Sequence, residues 1–172
     1  MEDSYNVLES IKSKADNARL GVVAYISMAF GNPYGNPWNE GEVCEAVEKL
    51  TAIGIRSISL ADTVGVAGPD LIHSMVQSVT KQHADYDIGV HLHSAPDTAA
   101  AKVLAAYDAG CRRFDSAVGG LGGCPFAQDA LVGNIPTESV IAALQERGVE
   151  LPIGKSLTNV VALNSLIEAN YQ

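Results

Sequence analysis

Two hydrophobic periods alternate along the chain. Val7, Leu8, Ile11 and Ala15 recur at helical spacing and predict a helix over residues 4–18. GVVAYISMAF, residues 21–30, is apolar and rich in β-branched residues, the pattern of a buried strand. GNPYGNPWN then breaks both periods with Gly, Pro and Asn. Asn39 reads as the N-cap of a helix running to residue 52, with Gly54 just beyond its end.

The same alternation recurs three more times. Residues 55–63 form a strand pattern, and Pro69 opens a helix reaching residue 83. Residues 88–94 are the next strand, followed by a helix over 97–109 closed by Gly110. Residues 111–118 are the fourth strand. A Gly-rich loop leads from it to a helix over 137–147 that ends at Gly148, and a last helix covers 156–169.

Four strand–helix units imply parallel strands joined by crossover helices in an α/β fold. A doubly wound sheet and part of a (β/α)8 barrel both satisfy this pattern. Asp62, His91, His93 and Asp115 lie near the C-terminal ends of three strands, the end where a barrel carries its chemistry, and this favours the barrel. A doubly wound sheet would instead place a phosphate-binding Gly motif after its first strand. GNPYGNP is no such motif, because its prolines lack the N–H donors of the cradle.

Composition narrows the function. Only 6% of residues are aromatic, so Val, Ile, Leu and Ala must fill the interior. A net charge of −9 argues against nucleic acid, whose backbone needs clustered Lys and Arg, but leaves room for a small anionic substrate in a cleft. Cys44, Cys111 and Cys124 form no CxxC pair, so a reducing cytoplasm is expected. No apolar run reaches membrane-spanning length, and the acidic, helix-like N-terminus is not a signal peptide.

Several residues are candidates for chemistry. His91 and His93 are two apart on a strand, so both imidazoles share one face while Val90 and Leu92 face the helices. Such a pair either chelates a divalent metal or consists of strand-end histidines hydrogen-bonded to neighbours. Asp62 either orients a substrate or ligand, or orders the VGVAGPD loop. Asn134 offers an amide oxygen to a hard cation, or completes a Gly-Asn turn. Cys124, in GGLGGCPFA, is either a proton donor on a hinged loop or an inert turn residue. Cys44 and Cys111 read as packed.

Taken together, VVAYISMAFGNPYG, ISLADTVG, GVHLHS, FDSAVGGLGGCPFAQ and VGNIPTE resemble the 3-hydroxy-3-methylglutaryl-CoA lyase family, in the family's order and across almost the whole chain. The HxH and GN motifs mark the wider group of metal-dependent barrel lyases and condensing synthases, whereas GLGGCP points to the lyase branch. The resemblance implies the C-terminal half of a (β/α)8 TIM barrel in a single partial domain, residues 1–172, with four parallel strands, alternating helices and a C-terminal helix. It implies Mg²⁺ or Mn²⁺ held by His91, His93 and Asn134, catalysis by Cys124, His91 and Asp62, and a supporting role for Glu138. The implied reaction is retro-Claisen cleavage of an acyl-CoA thioester. A condensing synthase or aldolase on the same fold, and a non-catalytic half-barrel, are the alternatives.

Three departures from the family pattern stand out. Its first strand carries an Arg–Asp pair that nothing here matches. Ser94 replaces an aspartate that commonly follows HxH, and the stretch from Cys124 to Asn134 is about one residue longer than in the family. Four strands do not close a barrel, so completion is expected from a second copy, from a separately made N-terminal half, or from a full-length parent of which this chain is a piece.

Overall fold

In the structure, a computed structural model that describes residues 2–122, 132–153 and 155–171, four strands form one parallel sheet in the order β1-β2-β3-β4. They are β1 (Val23–Ile26), β2 (Ser57–Asp62), β3 (Asp87–Leu92) and β4 (Arg113–Asp115). Helix α1 (Glu2–Asn17) precedes the sheet, and α2 (Glu40–Ala52), α3 (Pro69–Gln82) and α4 (Pro96–Asp108) connect successive strands. After β4 come α5 (Thr137–Glu146) and α6 (Thr158–Tyr171). Sequential parallel neighbours with helical crossovers are the arrangement that four βα units predict.

The helix starts follow local chemistry. The Asn39 side chain accepts the Glu42 N–H at 3.1 Å and its amide donates to the Glu42 carboxylate at 3.0 Å, a reciprocal cap. Pro69 and Pro96 occupy first-turn positions of α3 and α4, where the missing N–H costs nothing. The core lies between one face of the sheet and the helices. Ile58 and Leu60 of β2, and Ile88, Val90 and Leu92 of β3, meet Val47, Ile72, Val76, Val79, Val103 and Ala106 there. Burying each large aliphatic side chain contributes about 1.5–3 kcal/mol.

Three strands are shorter than their apolar runs. β1 stops at Ile26 because the chain turns over the end of β2: Met28 sits at φ 56°, its N–H donates to Thr63 Oγ1 at 2.8 Å, and the Ala29 N–H donates to the Ala61 carbonyl. β3 stops at Leu92 because His93 pairs antiparallel with Asn134. β4 stops at Asp115, and Ala117 then bridges Pro136. In both cases the segment before α5 takes over the backbone bonds that the longer strands would have made.

Candidate active site

The opposite face of the sheet is polar. Period-two alternation places Tyr25, Ser59, Ala61, His91 and Asp115 on it, while Ile58, Leu60, Val90 and Leu92 face the helices. At its C-terminal end a cavity of about 310 Å³ is lined by Tyr25, Ser27, Ala61, Thr63, His91, His93 and Asn134. Two histidines and an asparagine singled out from the sequence therefore share one cavity.

Their orientation is set locally. His93 Nδ1 lies 3.1 Å from the Val132 carbonyl, which only accepts, so Nδ1 carries the proton and Nε2 presents a lone pair. His91 Nε2 is 3.2 Å from that atom, so the His91 ring donates to it. The Asn134 amide donates to the Leu121 carbonyl at 2.8 Å. Its Oδ1 is buried and has no hydrogen-bond partner among the described residues. An orphaned buried carbonyl oxygen costs free energy unless something pairs with it, and a hard cation is a suitable partner beside two imidazoles. Among the described residues no group of three or more His, Cys, Asp and Glu side chains is placed to hold a metal, so beside the two histidines the Asn134 oxygen is the candidate third donor.

Electrostatics favour a neutral His91. Burial holds its pKa below the ordinary histidine value, the neighbouring His93 lowers it further, and Asp115 partly opposes both. Tyr25 stands edge-on to the His91 ring at 5.9 Å. Its hydroxyl is pushed up, first by burial and then by Asp115, with Arg113 opposing. Asp115 accepts from Ser59 Oγ at 2.7 Å and from Arg113 at 3.3 Å. The Arg113 guanidinium also bonds Asp87 and the Ile58 carbonyl, and Gly89 makes room for it: a Cβ there would meet Cζ at 2.5 Å.

Other expected site residues fall elsewhere. Asp62 does not line the cavity; it shares the helix-facing side of β2 with Ile58 and Leu60 and is 1% exposed. Its carboxylate pairs with Lys102 Nζ at 2.9 Å and accepts the Ala67 N–H, so it orders the loop after β2. Glu138 accepts the Gly119 N–H with both oxygens at 3.1 Å and braces the turn after β4. Ser94 is buried, its hydroxyl donating to the Ala95 carbonyl. Cys124 lies outside the described residues. The sequence reading missed Tyr25, Ser27 and Thr63, although strand alternation puts Tyr25 on the histidine face. It also missed Lys102, the one cation on the apolar stripe of Ala99, Val103 and Ala106.

No helix among the described residues is long and apolar enough to cross a membrane. The HMGL-like family model matches residues 2–167. Hydroxymethylglutaryl-CoA lyase, mitochondrial, of Pongo abelii is 36% identical over 149 residues, covering 87% of this chain and 46% of that protein. The cytoplasmic 3-hydroxy-3-methylglutaryl-CoA lyase of Rattus norvegicus is 36% identical over 167 residues, covering 97% and 48%. The HMG-CoA lyase structure from Brucella melitensis superposes with a TM-score of 0.86 at 31% identity, over 98% of this chain and 59% of that one. An Acinetobacter baumannii HMG-CoA lyase in complex with coenzyme A and 3-methylmalate gives a TM-score of 0.78 at 35% identity, over 87% and 48%. The chain spans about half the length of the curated relatives it matches. Its four parallel βα units correspond to part of those lyase barrels, and the chain belongs to the HMGL-like family.

Proposed function

We propose that this chain supplies the metal-binding half of a carbon–carbon lyase site acting on a 3-hydroxy-3-methylglutaryl-CoA-like thioester. The observation that carries the reading is the meeting of His91, His93 and the Asn134 Oδ1, unpartnered among the described residues, in one cavity within a chain of this family. These three residues would hold Mg²⁺ or Mn²⁺, which as a Lewis acid would polarise the substrate oxygens.

The protein's own groups divide the remaining work. His93 keeps its Nε2 lone pair turned outward because the Val132 carbonyl holds its Nδ1 proton. For His91 to offer its Nε2 lone pair as well, its proton must sit on Nδ1, so the His91–His93 hydrogen bond gives way when the site fills. Burial and His93 keep that ring neutral, so it has one lone pair, which would serve either the cation or, once released from it, the proton of the 3-hydroxyl, one at a time. As the C3 oxygen becomes a carbonyl, the C2–C3 bond breaks and its electron pair passes to C2 beside the thioester. Acetoacetate departs, and protonation of C2, the role proposed for Cys124, yields acetyl-CoA. Asp62 acts at a distance by ordering the loop after β2 rather than by touching substrate.

The test joins this chain to a family N-terminal half bearing the Arg–Asp strand and measures Mg²⁺-dependent thioester cleavage. Turnover is expected in the joined protein. His91→Ala and Cys124→Ala should each lower kcat by about 100-fold or more. Activity retained in either variant contradicts the role given to that residue. A half-barrel that assembles without turnover is the second reading, favoured by the open polar face of the sheet, and a joined protein that folds and binds Mn²⁺ but leaves the thioester intact would select it.

A further inference from the structure

One buried charge is not used by the chemistry above. Lys102 projects from α4 and is 4% exposed. An ammonium group has three N–H donors, and all three are matched: the Asp62 carboxylate at 2.9 Å, the Gly65 carbonyl at 3.0 Å and the His93 carbonyl at 2.8 Å. Two carbonyls and a carboxylate, from the turn after β2 and the end of β3, thus converge on one cation beneath the cavity.

The contacts reach all three residues of the metal-binding set. Lys102 fixes the His93 backbone where β3 ends. Gly65, the second carbonyl it holds, packs against Val132, for a Cβ on Gly65 would meet Val132 Cγ1 at 2.9 Å. The Val132 carbonyl in turn orients the His93 ring. From there the chain enters the antiparallel bridge between His93 and Asn134, closed by Ser94 N–H to the Gly133 carbonyl and Ile135 N–H to the Leu92 carbonyl. His91 is tied to the same unit through its contact with the His93 ring.

A buried ion pair seldom adds stability over an apolar pair of similar volume, because both charges lose their water. What it adds is a fixed register among the segments it joins. We infer that Lys102 is a positioning residue: its ammonium group locks the end of β3 and the segment 132–135 together so that His93 and Asn134 address one divalent cation. The cation part rests on the function proposed above; the locking part does not.

The experiment compares the chain with Lys102→Met and with Asp62→Asn/Lys102→Met. The double variant removes both charges, so it folds even if the single one is crippled by its stranded carboxylate. Amide hydrogen exchange and Mn²⁺ titration by electron paramagnetic resonance are the readouts. Exchange at Ser94 and Ile135 should accelerate about tenfold or more, while Val76 in α3 stays as in the parent. Mn²⁺ affinity should fall about tenfold or more in the folded double variant. Unchanged exchange at Ser94 and Ile135, or uniform acceleration that includes Val76, overturns the locking role. Equal Mn²⁺ affinity in parent and double variant overturns the positioning of the ligands. A parent that binds no Mn²⁺ removes the metal site instead, and exchange still decides the role of Lys102.

Discussion

Cys111 shows how little a residue type says until its surroundings are known. It is fully buried at the entrance to β4, with its thiol donating to the Arg113 carbonyl at 3.1 Å. Burial pushes its pKa up to about 11, against partial opposition from the Arg113 backbone and the two neighbouring arginines. The thiolate is the reactive form, so Cys111 should resist iodoacetamide in the native protein at about pH 8, whereas half-buried Cys44 reacts. Peptide mapping after labelling checks this; native labelling of Cys111 as fast as in urea contradicts it. The same shift sets a sign for stability. The folded chain favours the protonated thiol, so this contribution is intact below the ordinary thiol value of 9.0 and is lost as pH rises towards about 11. A urea midpoint that falls more steeply across that window in the parent than in Cys111→Ala is the expected result.

At the scale of elements, caps and alternation govern. Asn39 satisfies the first turn of α2 through Glu42, and Asn39→Ala should cost about 1 kcal/mol. In a chain of this size that is a fall of about 2–4 °C in Tm, measurable by calorimetry. Such features were legible in the sequence because they depend on neighbours along the chain: the Asn39 cap, Pro69 at the start of α3, and the common face of His91 and His93. The alternation that paired the histidines also places Asp62 with Ile58 and Leu60, away from them, and the charged side chain at a strand end obscured that reading. Strand ends were less legible. β3 ends where Asn134 pairs with His93, and β1 ends where Met28 and Ala29 bond back to Thr63 and Ala61. Those choices rest on contacts between distant segments, which no local window contains. The neutralisation of Lys102 by Asp62 belongs to the same class: the apolar stripe on α4 marks the lysine as buried, but not its partner.

At the scale of the molecule, the described residues cover the sheet on one face only. β1 and β4 end its strand order, and Val23 and Tyr25 of β1 are about half exposed on the polar side. Apolar groups are also open on α1 and α6: Val7 and Ile11 on the first, Leu163 and Leu166 on the second. Unpaired strand edges beside exposed apolar side chains are templates for further pairing. A net charge of −9 works against self-association, because two copies repel. Salt screens that repulsion while leaving apolar burial and backbone pairing in place. The chain should therefore self-associate, with a weight-average sedimentation coefficient that rises with concentration and rises more steeply in high salt. A family N-terminal half added in excess should suppress the concentration dependence, since its strands would occupy the same edges and the open face. A chain that stays monomeric across concentration and salt would mean that the exposed face and edges are protected by their own charges, and a chain whose association weakens with salt would mean that ion pairs, rather than strand edges and apolar groups, hold the copies together.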